Sequence, residues 1–201
     1  MKMFSRRAYR ALRAFLLIIT RIWHPIIKVY GKENIPEGAA VVCGNHSAFS
    51  DPIWIIMLAD LPVLPRTMAK QELLKIPVLG AFYRKMGAFP VDRSGTDIPA
   101  IKTAMKTIRD GNKLVIFPEG TRIRKGKKSV PHSGALLIAT RTHVPVVPVF
   151  LSTKKRPFSK INIVYGKPYY PEFAGKHPTS EELDKLSADL MKQIYQMGEN
   201  L

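Results

Sequence analysis

The chain predicts an α/β fold: a single domain with a mostly parallel or mixed sheet flanked by helices, preceded by an amphipathic N-terminal helix. Three observations carry this reading. From residue 39 onward, short apolar runs alternate with segments of helical periodicity, the order that builds a sheet with helices on its faces. At 201 residues, 46% of them hydrophobic, the chain can bury one substantial core. No internal repeat and no linker divides it.

The first element runs from Phe4 to Ile26 and separates by face when wound at about 100° per residue. Ala8, Ala11, Leu12, Phe15, Ile18 and Ile22 share one arc, Arg6, Arg7, Arg10, Arg13 and Arg21 lie opposite, and Leu17 is the one exception. A transmembrane helix needs about 20 mostly apolar residues, whereas the longest run here, Ala14 to Ile19, is six. An arginine on both sides of that run and the lack of a small-residue cleavage site argue against a signal peptide. Two readings remain, a helix in the headgroup layer or one covering the domain's own core. The wholly cationic polar face favours an anionic membrane surface, where each Lys or Arg is worth about 1 kcal/mol. Residues 1–28 are therefore taken as a basic membrane-surface helix region and residues 29–201 as the α/β domain.

Beyond Gly31 and the turn from Glu33 to Gly38, Ala39 to Cys43 reads as a buried strand and Pro52 to Ala59 as a helix. Thr67 to Ala69 is a short strand, Pro77 to Met86 a helix and Ala88 to Val91 a strand. Ile98 to Arg109 is a helix closed by Asp110-Gly111, and Lys113 to Phe117 is a strand of good β character. Gly134 to Thr140 follows as a helix, then strands over Val146 to Leu151 and Ile161 to Tyr165, and a closing helix from Ser180 to Met197. The stretches Arg122 to Val130 and Lys154 to Lys160 read as the most flexible.

Charge narrows the function. Lys and Arg outnumber Asp and Glu by 32 to 15, a formal charge of +17, so the partner carries phosphate: nucleic acid, anionic membrane or phosphorylated substrate. Nucleic acid is disfavoured, because the basic stretches lack interleaved aromatics and a recognition helix. Cys43 is the only cysteine, which excludes an intrachain disulfide and suits a reducing cytosol. The five histidines show no metal-cage spacing, so neither a metal nor a cofactor is expected.

The most informative segment is Asn45-His46-Ser47-Ala48-Phe49-Ser50-Asp51-Pro52. An imidazole takes a proton near neutral pH, and a carboxylate on its other nitrogen fixes the tautomer and stabilises the imidazolium. Asp51 before Pro52 also reads as a helix N-cap, a role compatible with orienting His46. Neither Ser47 nor Ser50 lies in a nucleophile elbow, so the attacking hydroxyl is expected to belong to the substrate. His46 follows one strand and Glu119-Gly120 another, and in such sheets ligands bind at the carboxyl ends of strands.

Four ordered blocks carry a family resemblance: Asn45-His46 through Asp51, Gly87 through Arg93, Phe117-Pro118-Glu119-Gly120-Thr121-Arg122, and Val144 through Val149. On these the chain resembles the glycerophospholipid acyltransferases, specifically the bacterial 1-acyl-sn-glycerol-3-phosphate acyltransferases. The resemblance implies transfer of a fatty acyl group from acyl-CoA or acyl carrier protein, as co-substrate, to the 2-hydroxyl of lysophosphatidic acid. The product would be phosphatidic acid, made by a peripheral or monotopic protein on the cytoplasmic face of the membrane. His46 would be the base and Asp51 its orienter, a step contributing typically 10² to 10⁴-fold. The Gly120 N–H is a candidate donor to the oxyanion, and by resemblance Lys70 would assist there. Arg93 and Arg122 match the family's phosphate-binding arginines, and Glu119 and Thr121 belong to the same acceptor-binding set. Two departures stand out: Ala48 replaces a frequent serine, and Pro131-His132-Ser133 stands where relatives often carry a basic pair. The alternatives are an acyltransferase for glycerol 3-phosphate or another lysophospholipid, a phospholipid hydrolase, or a non-catalytic anionic-lipid-binding protein.

Overall fold

The computed structural model describes residues 3–61, 64–92, 95, 97–123, 130–199 and 201. It opens with helix α1 (Arg6–Trp23), capped by the Ser5 hydroxyl, which accepts from the Ala8 amide at 3.2 Å. Strand β1 (Ile27–Tyr30), β2 (Ala40–Gly44), helix α2 (Asp51–Ala59), β3 (Arg66–Lys70), α3 (Gln71–Lys75) and α4 (Leu79–Lys85) follow. Next come β4 (Ala88–Val91), α5 (Ile98–Arg109), β5 (Lys113–Ile116), α6 (Gly134–Thr142), β6 (Val146–Leu151), β7 (Ile161–Tyr165) and α7 (Ser180–Gln196). Strand β1 and helix α3 were not expected. Ile27-Lys28-Val29-Tyr30 is too short to separate from the preceding helical pattern, and it becomes a strand by pairing with β7, Ile27 opposite Ile161. That strand straddles the boundary drawn at residue 28.

The seven strands form one mixed sheet in the order β1-β7-β6-β2-β5-β3-β4. Every pairing is parallel except that of β6 with β7. Successive side chains of a strand point to opposite faces, and β2 uses both. Ala40 and Val42 join Trp54, Ile55 and Ile56 of α2 in one core, while Val41 and Cys43 join α5, α6 and α7 in the other. Both faces are therefore covered, which is why these strands read as continuous apolar runs rather than as an alternation. Cys43 is buried, and burial holds its thiol well above the ordinary range.

Helix α1 docks on the α2 side through only one flank of its apolar arc. Tyr9 is buried there and donates its hydroxyl to the Ile56 carbonyl at 3.3 Å, and Leu12 and Leu17 pack on the core. Arg13 bonds the Met57 carbonyl and pairs with Asp60, both at 2.7 Å. Leu17 thus departs from the arc because it faces the domain. The side chains of the rest of the arc face outward: Ile18 and Ile22 are 63% and 66% exposed, with Phe15, Trp23 and Ile26 beside them.

Strands β2, β3, β4, β5 and β6 all run the same way, so their carboxyl ends, and the loops leaving them, gather at one edge of the sheet.

Candidate active site

Asn45 continues β2 as a side-chain extension of the sheet. Its amide donates to the Leu151 carbonyl at 2.9 Å and its oxygen accepts from the Leu151 amide at 2.8 Å, both buried. That double bond to the end of β6 aims the next residue, His46, off the sheet edge. The segment leaving β5 then grips the His46 backbone on both sides. Its N–H donates to Glu119 Oε2 at 2.7 Å, and its carbonyl accepts from Ile123 at 2.8 Å. The Phe117 ring stacks on the imidazole, centroids 4.4 Å apart.

Asp51 reaches the imidazole from the first turn of α2. Its Oδ2 lies 3.0 Å from His46 Nδ1 and accepts the Ser47 and Ala48 amides at 2.5 and 2.7 Å. Asp51 is therefore not the N-cap expected from the Asp-Pro pair. Ser50 holds that position, and the Asp51 carboxylate instead satisfies the turn before the helix. Its Oδ1 forms an ion pair at 2.8 Å with Lys155 Nζ, from the loop leaving β6. Burial works against the Asp51 charge, yet the bonds from His46, Lys155 and Ala48 outweigh it and hold the carboxyl below its ordinary range. An ionised carboxylate only accepts, so Nδ1 carries a proton in this bond and the lone pair of neutral His46 sits on Nε2.

A cleft of about 640 Å³ opens beside this pair, lined by His46, Ser47, Phe117, Thr121 and Arg122 together with residues of β3 and α3. The Arg122 guanidinium lies 3.5 Å over the Phe49 ring. Lys70 lines the same cleft at the end of β3, half exposed and 3.7 Å from Glu72. The site is a base with its orienting carboxylate, a cation, and a mostly apolar trough, which suits acyl chemistry on an anionic amphiphile.

Comparison with known proteins agrees. The profile of the family described as Acyltransferase matches residues 26–152. The chain belongs to that family. It is 33% identical over 182 residues to the 1-acyl-sn-glycerol-3-phosphate acyltransferase of Bacillus subtilis, covering 87% of this chain and 89% of that one. The protein of the same name from Borreliella burgdorferi is also 33% identical, over 80% of this chain and 64% of its own length. Among solved structures, the 1-acyl-sn-glycerophosphate (LPA) acyltransferase of Thermotoga maritima matches with a TM-score of 0.72 at 25% identity. That match covers 96% of this chain and 81% of the neighbour.

With family membership settled, every expected residue but Arg93 has a place. His46, Asp51, Glu119, Gly120, Thr121, Arg122 and Lys70 all gather at the edge where the parallel strands end. Arg93 lies outside the described residues, as does most of the stretch from 122 to 130. Gly120 has φ +65°, and a Cβ there would overlap the His132 ring, so glycine is required. Its amide, however, donates to the Phe117 carbonyl at 3.0 Å, closing its own turn, and so is not presented as an idle oxyanion donor. Glu119 stands directly beside His46 at that edge. It is 3% exposed and braces the His46 loop, with Tyr195 of α7 donating to its other oxygen. Burial raises the Glu119 carboxyl above its ordinary range, opposed by the Tyr195 and His46 bonds.

Sequence reasoning missed two site residues. Lys155 is the middle of Lys154-Lys155-Arg156, which reads as a solvated basic run, and only folding turns its central member inward. Tyr195 is a half-exposed residue of a helix distant in sequence, and nothing in the helical period singles it out.

Proposed function

We propose that this chain transfers a fatty acyl group from an acyl thioester to the 2-hydroxyl of 1-acyl-sn-glycerol 3-phosphate, forming phosphatidic acid. The relatives that bear the name 1-acyl-sn-glycerol-3-phosphate acyltransferase support that acceptor. The observation that carries the mechanism is a cleft-facing base without an enzyme nucleophile. His46 bonds Asp51 through Nδ1, and among the described residues no serine or cysteine side chain bonds the imidazole.

In this reading His46 Nε2 removes the proton from the acceptor hydroxyl as its oxygen attacks the thioester carbonyl carbon. The tetrahedral intermediate collapses, the C–S bond breaks, and the imidazolium returns the proton to the departing sulfur. An ester and a free thiol result. Arg122 faces the acceptor's phosphate, and Lys70 at the cleft rim lies within its field. Acyl-CoA and acyl carrier protein are both candidate donors.

The acceptor and product are membrane lipids, and the exposed apolar flank of α1 beside its arginines fits a headgroup layer on the cytoplasmic face. No helix among the described residues is long and apolar enough to cross a membrane.

The test is thiol release from acyl-CoA and from acyl carrier protein across glycerol 3-phosphate, lysophosphatidic acid and neutral lysolipids, with the lipid product identified by mass. Acyl transfer to lysophosphatidic acid is expected, abolished in His46→Ala while vesicle binding survives. Near-parent turnover in that variant overturns the mechanism, and release of free fatty acid in place of phosphatidic acid favours a hydrolase.

A further inference from the structure

The Lys155 side chain is 9% exposed and makes two contacts. Its ammonium sits 2.8 Å from Asp51 Oδ1 and donates to Ser47 Oγ at 2.8 Å. Its neighbours Lys154 and Arg156 are exposed. A lysine is seldom buried without a paired charge, and here the pair is the carboxylate that orients His46. Asp51 Oδ1 is itself buried, and among the described residues this cation is the group that compensates it. The loop that carries Lys155 is anchored on its carboxyl-terminal side. The Phe158 amide donates to the Trp23 carbonyl at 2.6 Å, His24 Nδ1 meets the Ser159 carbonyl at 3.0 Å, and Ile161 joins the β1–β7 ladder.

We propose that Lys155 is a positioning residue for acyl transfer: it fixes the second oxygen of Asp51, and thereby keeps the His46–Asp51 pair in working geometry and His46 a neutral base. This rests on the acid–base reading of His46. The groups facing the pair are Glu119 and Arg122 from the segment after β5, Tyr83 from α4, Tyr195 from α7 and Lys70 from the end of β3. Unlike Arg122 and Lys70, Lys155 touches Asp51, and it is the one cation that does so among the described residues. Removing it leaves the carboxylate's charge uncompensated beside the imidazole, which favours imidazolium.

The experiment is the pH dependence of kcat/KM for acyl transfer to dispersed lysophosphatidic acid in Lys155→Met, Lys155→Gln and Lys155→Arg, with folding checked by thermal unfolding. Lys155→Met is expected to lower kcat/KM at least 10-fold at neutral pH and to move the acid limb upward by roughly one pH unit. Lys155→Arg, which keeps the charge, restores the limb. Lys155→Gln retains a donor without the charge and shows the same shift, so it serves if the methionine variant does not fold. A folded uncharged variant that loses activity with an unmoved limb makes Lys155 merely structural and overturns the proposal, as does parent-like activity. Lys155→Arg that fails to restore the limb also overturns it. His46→Ala is run alongside: full activity there removes the underlying acid–base reading, whatever Lys155 does.

Discussion

Asp51→Asn perturbs the most heavily bonded side chain of the site, and its two consequences separate cleanly. The carboxylate has four partners, all donors: His46 Nδ1 at 3.0 Å, the Ser47 and Ala48 amides at 2.5 and 2.7 Å, and Lys155 Nζ at 2.8 Å. An asparagine offers one accepting oxygen and one donating NH2. If the oxygen keeps the His46 and backbone donors, the NH2 faces the Lys155 ammonium and leaves a buried cation unpaired. Breaking a buried pair in this way costs about 3–5 kcal/mol, and for a chain of this size 1 kcal/mol moves the unfolding midpoint by roughly 2–4 °C. The midpoint should thus fall by about 6 to 20 °C. If the oxygen turns to Lys155 instead, His46 Nδ1 meets a donor and the tautomer inverts, placing the proton on Nε2, where the base must be empty. In the first case the charge that stabilises the imidazolium is gone and in the second the base itself is blocked, so activity falls by up to the general-base contribution of about 10² to 10⁴-fold, equal to about 2.7 to 5.5 kcal/mol of barrier.

The assay is thiol release with lysophosphatidic acid at saturating thioester, alongside thermal unfolding. A variant with kcat within threefold of the parent would refute the orienting role. The pH dependence carries its own sign. The folded carboxyl of Asp51 lies below its ordinary value, so its stabilisation is fully present above about pH 3.9 and is lost as pH falls through the lowered folded value. The stability gap between parent and Asp51→Asn should therefore narrow as acid is added below about pH 4. A gap that widens there contradicts the bonding described.

Three further outcomes are expected. Gly120→Ala places a side chain at φ +65° against the His132 ring, so a loss of more than about 1–2 kcal/mol is expected in denaturant unfolding; an unchanged midpoint would contradict the turn. Tyr195→Phe removes the hydroxyl that donates to Glu119, and hydrogen bonds to charged groups are worth about 1.5–3 kcal/mol. Stability should drop by that order with a matching rise of the His46 loop's hydrogen exchange, and no change in either dismisses the brace. Ile18→Glu with Ile22→Glu alters side chains that touch no core. Unfolding should be unmoved, while partition onto anionic vesicles falls at least about 10-fold, since each isoleucine buried in lipid is worth about 1.5–3 kcal/mol. Equal partition of parent and variant would remove the membrane face.

Most of the architecture is legible from the chain because buried two-sided strands leave unbroken apolar runs. Ala40–Gly44, Lys113–Ile116, Val146–Leu151 and Ile161–Tyr165 fall within a residue of where pattern places them. Strand β1 was hidden because four residues do not establish a period, and its identity comes from Ile161 and its neighbours far along the chain. Helix α3 was hidden in the same way, a single turn whose stability comes from packing Leu74 against Tyr83 and Ala88. At the site, His46 and Asp51 are five residues apart, and a turn that short can be read locally.

What the sequence by itself determined is the chemistry on offer: a histidine with a carboxylate in reach, a Glu-Gly-Thr-Arg segment after a strand, a basic amphipathic helix and no nucleophile elbow. What only the tertiary structure decided is which distant groups meet that chemistry. Five parallel strands bring their ends to one edge, so Lys155 reaches Asp51 across 104 positions and Tyr195 reaches Glu119 across 76. It likewise decided that α1 docks by one flank and keeps the other bare. Local pattern records the period of an element but not the partner across from it, because long-range packing depends on which strands lie side by side.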